Sequence, residues 1–206
     1  GCSSLENMSI PASVKSIGSE AFQGCSSLEN MSIPASVKSI GNKAFSGCSS
    51  LENMSIPASV KIIGKYTFLD CSGLENVSIP NSVDSISDSA FQNCSGLKTV
   101  TLGLYVTLSI GNDAFNGCSS LSSINQFFGI NTLPKYVMSI GNRAFYKCTG
   151  LENMSIPGVL TSIGDQAFAL CSSLKTVTLG TEVKTIGKKA FRGCSSLSSI
   201  NQFFGI

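Results

Sequence analysis

Nine cysteines recur along the chain at spacings of 23, 23, 23, 23, 24, 30, 23 and 23 residues. A period fixed within about 20–29 residues is the mark of a solenoid, in which each repeat is one short supersecondary unit that cannot bury its apolar side alone. The repeats lie very close in sequence. Leu5–Gly18 recurs word for word at Leu28–Gly41, and at Leu51–Gly64 with Ile62 in place of Ser. The 206 residues therefore form one repeat domain rather than several unrelated ones.

Within the unit, the alternation over Asn7–Ile10 is strand-like, with Met8 and Ile10 inward and Asn7 and Ser9 outward. Pro11 ends that strand, because it has no N–H for a ladder. Val14-x-x-Ile17 predicts a second short extended segment, stopped by Gly18. Glu20–Gly24, carrying Ala21-Phe22, predicts a single helical turn that buries the ring, and Gly24-Cys25 turns the chain into the next strand. Stacked turns give a Phe column from Phe22 to Phe191 and an Ile column from Ile17 to Ile186. The expected class is an α/β repeat solenoid: a right-handed superhelix with a parallel concave sheet of about nine strands and short helical turns carrying the Ala-Phe motif.

The in-register pattern L-x-x-ϕ-x-I-P-x-x-V-x-x-I-G-x-x-A-F-x-G-C resembles the BspA-like leucine-rich repeats, and the resemblance covers essentially the whole chain. It implies a leucine-rich-repeat solenoid displayed on a cell surface. Several such proteins act as adhesins for host matrix or plasma proteins or for other microbes. The expected role is thus an extracellular or cell-surface binding module, with a protein or glycan of a host or neighbouring cell as partner. The pattern is broken at Ser87 (the turn Gly), Thr67 (the Ala before Phe68), Gln126 and Gln202 (inward aliphatics), and by one extra residue in Leu104–Leu108.

Outward positions of the first strand form a polar face that includes Asn7, Asn30, Asn53, Asn76, Thr99, Asn125, Asn153 and Thr176. It is either a partner-binding face or a solvated sheet with mutually bonded side chains. Asn7-Met8-Ser9 and its copies are also N-glycosylation sequons, too closely packed for all to carry glycans. Glu6, Glu29, Glu52 and Glu75 stack in one column, and Lys15, Lys38 and Lys61 in another, as a solvated edge or a weak Ca²⁺ site. The cysteine column reads as buried free thiols, with disulfides between neighbouring turns as the alternative. Zinc is disfavoured by the lack of C-x-x-C and of histidine.

An insertion at 126–132 carries Phe127 and Phe128, which with Ile130 and Tyr136 form an aromatic knob, either an exposed hot spot or a loop packed on its own solenoid. Gly117–Ile130 and Gly193–Ile206 are identical, so the same motif recurs at the last residues. With no atypical terminal repeat, the chain is expected to be a fragment of a longer array. The alternative is a structural subunit assembling end to end through uncapped solenoid ends.

No enzyme is expected, since without His there is no Ser/His or Cys/His pair. No cofactor is implied either. A net charge of +2 gives no basic face for nucleic acid, and no long apolar run calls for membrane insertion.

Overall fold

The Asn-Met-Ser stretches and their equivalents are short parallel strands, one per turn. In the computed structural model all residues are described except 1, 104–107, 127–128, 131–132, 134–135, 157 and 203–206; for 125, 126, 129, 130 and 202 only the backbone is described. The first row of strands comprises β1 (Asn7–Ser9), β3 (Asn30–Ser32), β5 (Asn53–Ser55), β7 (Asn76–Ile79), β9 (Thr99–Leu102), β11 (Ser123–Gln126), β14 (Asn153–Ile156), β16 (Thr176–Leu179) and β18 (Ser199–Gln202). The second row comprises β2 (Ser16–Ile17), β4 (Ser39–Ile40), β6 (Ile62–Ile63), β8 (Ser85–Ile86), β10 (Leu108–Ile110), β13 (Val137–Ile140), β15 (Ser162–Ile163) and β17 (Thr185–Ile186). A short strand β12 (Gly129–Ile130) completes the set.

The second row is one continuous parallel sheet of eight strands, so the chain winds as a parallel β-solenoid of about eight turns. The first row is not the single sheet of about nine strands expected from the sequence. It is hydrogen-bonded in three pieces: β1-β3, then β5-β7-β9-β11 with β12, then β14-β16-β18. The break before β14 has a covalent cause. After Gln126 the chain folds back, and β12 pairs antiparallel with β11 through Asn125↔Ile130 and Gln126↔Gly129. The row resumes at Leu133, whose N–H donates to Ser155 O at 3.0 Å, as Ile56 N–H donates to Ser78 O at 3.0 Å in an ordinary turn. Leu133 is fully buried, in the place that Ile56 fills elsewhere. The extra residue of Leu104–Leu108 falls mostly outside the described residues, and the β10–β13 pairing shifts register between Leu108 and Ser109.

The predicted helical turn is absent; no helix occurs among the described residues, so the class is β-solenoid rather than α/β. The reason is the direction of the backbone N–H groups. Those of Glu20, Phe22 and Gly24 donate to Asn42 O, Ala44 O and Ser46 O of the next turn at 2.8–3.0 Å. Those of Gln23 and Cys25 close tight turns onto Glu20 O and Phe22 O. A helix would send all of them to the residue four back. The alternation is made by two left-handed residues per turn. One column holds Glu20, Lys43, Tyr66, Ser89, Asp113, Arg143, Gln166 and Lys189, with φ of 53–60°. The other, just before the cysteine, is Gly24, Gly47, Asp70, Asn93, Gly117, Lys147, Leu170 and Gly193. Each non-glycine there costs roughly 1–2 kcal/mol of backbone strain, offset by the inter-turn bonds it aims.

Between these turns and the strands lies the core. Phe22, Phe45, Phe68, Phe91, Phe115, Phe145, Phe168 and Phe191 form a continuous offset stack with centroids 5.1–5.5 Å apart and rings within 8° of parallel. Burial of such a ring stabilises by about 1.5–3 kcal/mol, and each ring pair adds about 0.5–1.5 kcal/mol. The turn glycine is enforced by close approach of the preceding turn's backbone: a Cβ on Gly141 would lie 2.6 Å from Asn112 N. Nothing in the structure explains how Ser87 is accommodated at this position. Thr67, the other departure, is buried and donates its hydroxyl to Gly64 O at 2.9 Å. Beside the glycines, Asn112 and Asn142 each accept the backbone N–H of the next turn at 2.8 Å through their side-chain oxygens.

The cysteines are free, and all are buried except exposed Cys2 and half-buried Cys194. Their thiols do not pair with one another. Cys71 Sγ donates to Phe45 O at 3.1 Å, Cys94 Sγ to Phe68 O at 3.0 Å, and Cys148 Sγ to Phe115 O at 3.1 Å. Each phenylalanine carbonyl so used also accepts the N–H of its own turn's cysteine, as Phe68 O does from Cys71. Desolvation by burial drives the pKa of Cys48 up to about 12 and raises Cys71, Cys94, Cys118 and Cys148 as well.

Two outcomes follow. Phe91→Ala should cost about 3–5 kcal/mol, read as a lower midpoint in urea unfolding followed by circular dichroism. A colourless-to-coloured thiol reagent at neutral pH should modify Cys2 fast and Cys194 slowly, and reach the buried cysteines only on unfolding. Because their folded-state pKa values are raised, the thiols' contribution is complete below about pH 9 and declines as pH rises toward 12. A native protein whose thiols all react at once would contradict the ladder.

Candidate functional site

Period-two alternation in the first row places Met31, Met54, Val77 and Val100 in the core and turns Asn30, Asn53, Asn76 and Thr99 outward. Strand register stacks like on like: Asn53↔Asn76↔Thr99↔Ser123 in the middle piece and Asn153↔Thr176↔Ser199 in the last. Neighbouring rungs bond laterally. Asn76 Nδ2 donates to Asn53 Oδ1 at 3.1 Å, and Thr176 Oγ1 to Asn153 Oδ1 at 2.6 Å. Each such acceptor is oriented by its neighbour while other lone pairs and N–H groups stay free for solvent or a ligand.

An open groove of about 720 Å³ runs across β3, β5, β7 and β9. It is lined by Asn30, Asn53, Asn76 and Thr99 along one line, and by Ser32, Ser55, Ser78 and Thr101 along the other, with Met8, Met31, Met54, Val77, Ile33 and Pro57 beneath and at its end. Its volume is in the range of small-ligand sites, about 300–1,000 Å³. No ionisable side chain lines it. The groove contains the seam between β3 and β5, which are not paired. There Glu52 N–Glu29 O lengthens to 3.4 Å, against 2.9 Å for Glu29 N–Glu6 O and 2.7 Å for Glu75 N–Glu52 O.

Of the sequence-derived residues, Asn30, Asn53, Asn76 and Thr99 therefore come together. Asn7 is exposed in β1 but does not line the groove, although its neighbour Met8 does. Asn153 and Thr176 sit on the sheet piece beyond the hairpin. Asn125 is in β11 with its side chain outside the described residues, and Phe127 and Phe128 lie outside them altogether. The parting of β3 from β5 was not readable, because the two strands and their flanks have the same sequence.

In the Glu column cross-turn pairs form where a lysine follows a glutamate, Lys98–Glu75, and Lys175–Glu152 at 2.9 Å, and at another position of the repeat Lys65 pairs with Asp88 at 3.1 Å. All are exposed, where such a pair is worth about 0–1 kcal/mol. The Lys65 ammonium holds the Asp88 carboxyl below its ordinary value. Among the described residues no three His, Cys, Asp or Glu side chains gather in a metal-binding group, the Glu6–Glu75 column included.

Comparison with known proteins follows the fold. Among solved structures, a leucine-rich repeat protein of T. pallidum is similar at 25% identity and a TM-score of 0.70, covering 93% of this chain and 78% of that one. The pneumococcal vaccine antigen PcpA shares the fold at 22% identity and a TM-score of 0.56, over 96% of this chain and 56% of its own. No curated protein matches the sequence. The model of a family described as BspA type leucine-rich repeat region (6 copies) matches residues 1–122 and 109–204. Those matches span nearly every turn, and the chain belongs to the BspA-type leucine-rich repeat family.

Proposed function

We propose that this chain is an extracellular or cell-surface binding module that recognises a protein or glycan of a host or neighbouring cell through its Asn/Ser/Thr face. The observation that carries the reading is the open groove across β3–β9, whose lining side chains are uncharged and offer both donors and acceptors. Family membership supports it, because leucine-rich repeat scaffolds generally bind rather than catalyse. So does the absence of histidine from the sequence, and the engagement of several carboxylates with lysines of adjacent turns. No helix among the described residues is long and apolar enough to cross a membrane.

End-to-end assembly is a second reading, drawn from the last turn. Ile186 and Ile200 are 48% and 46% exposed there, whereas Ile163 and Val177 one turn earlier are 2% and 0% exposed. A further turn packed on that side, of whatever origin, would cover them.

Two measurements separate these. Immobilised matrix proteins, plasma proteins and cell-surface glycans are screened by interferometry, and hits are repeated with Ser55→Arg, which places a long cation in mid-groove. At least tenfold weaker binding, about 1.4 kcal/mol, is expected; unchanged binding would move the site elsewhere. A loss confined to Phe127→Ala/Phe128→Ala would move it to the hairpin. Light scattering over a wide concentration range, with reductant, tests assembly: mass rising with concentration supports it, and a constant monomer mass removes it.

A further inference from the structure

Resting on the reading of the groove as the binding site, the geometry points to an uncharged, linear, equatorially linked oligosaccharide as its ligand, lying across the strands with one hexose per rung. Three observations select this class. The first is repetition. Each rung presents two uncharged polar side chains at the same two positions, Asn53 and Ser55 on β5, then Asn76 and Ser78 on β7, then Thr99 and Thr101 on β9. A row of equivalent subsites fits a ligand with an equivalent repeating unit. Parallel strands repeat about every 4.8 Å, whereas an extended peptide advances about 3.3 Å per residue, so successive residues would not meet equivalent rungs. A pyranose with its equatorial linkage spans close to one rung, and such chains run extended instead of coiling.

The second observation is charge. No lining side chain is ionisable, and the positions just before the Asn30, Asn53, Asn76 and Thr99 line are Glu29, Glu52, Glu75 and Lys98. Of these, Glu75 is in an ion pair with Lys98. A sulfated or carboxylated chain would find no counter-charge in the groove, and at its side the carboxylates of Glu29 and Glu52 and a lysine, Lys98, already paired with Glu75. The third is hydrogen-bond type. Amides and hydroxyls both donate and accept, as sugar hydroxyls do, and the Asn76–Asn53 bond orders the amides before any ligand arrives.

The test is calorimetry of the whole chain with neutral cello- and N-acetylchito-oligosaccharides from two to six units, and with sulfated counterparts. Affinity should rise at least tenfold from dimer to tetramer, then change less than twofold to hexamer, since four strands line the groove. Asn76→Asp, verified as folded by circular dichroism, should weaken the tetramer at least tenfold, and Ser162→Asp on the other sheet should leave it unchanged. No heat with any neutral oligomer at millimolar concentration overturns the assignment, as does tighter binding of the sulfated series. The length series on the unmodified protein decides even if Asn76→Asp fails to fold. Should a protein hit from the screen lose binding with Ser55→Arg while no glycan binds, the glycan assignment falls and the groove remains the binding site; if neither binds there, both readings fall.

Discussion

The backbone hydrogen bonds that leave each Gly-to-Cys segment for the following turn set every other dimension of the molecule. They need two left-handed residues per turn, and they hold successive turns at the separation of parallel strands. Once that separation is fixed, the phenylalanine rings have to lie face over face with an offset, and their centroids fall at 5.1–5.5 Å. The same spacing brings each thiol of Cys48–Cys194 to the carbonyl of a phenylalanine in the preceding turn. It also brings the backbone of the preceding turn to where a Cβ would lie at Gly41, Gly111, Gly141, Gly164 and Gly187. A helix in the Ala-Phe segment would redirect its N–H groups inward and cut the connection between turns.

Much of this was legible because a repeat multiplies its evidence. The columns of Leu, Ile, Phe and Cys fixed which residues face inward, and the prolines fixed where the first strand ends. What was not legible depended on neighbours in space. Glu20, Tyr66 and Arg143 share a left-handed conformation that their types do not announce, so Ala-Phe read as helical by propensity. The antiparallel return of β12 onto β11 was hidden because nothing in Asn125–Ile130 announces a pairing partner. For the candidate site, Asn30, Asn53, Asn76 and Thr99 were found by alternation alone, while the seam beside them was invisible in repeats of identical sequence.

The division of labour between faces bears on function. Stability resides in the stacked rings, the thiol bonds and the turn ladder, none of which involves the outward residues of the first row. That row is therefore free to change without loss of fold, and it does change along the chain, from Asn to Thr to Ser at equivalent rungs. A binding surface can diverge in this way on a scaffold whose interior is nearly invariant.

The β11–β12 hairpin has a further consequence, for how the chain finds its register. Turns of the same sequence can pair one repeat out of step and still satisfy every contact, so the first three turns present nearly degenerate alternatives during folding. Translational symmetry of that kind offers no energetic reason to prefer the correct neighbour. The hairpin abolishes it locally, because only β9 lies on the open side of β11 and only the turn beginning at Leu133 can reach β14. It acts as an index mark in an otherwise uniform ruler: once that junction has formed, turns on either side can be counted from it in one way.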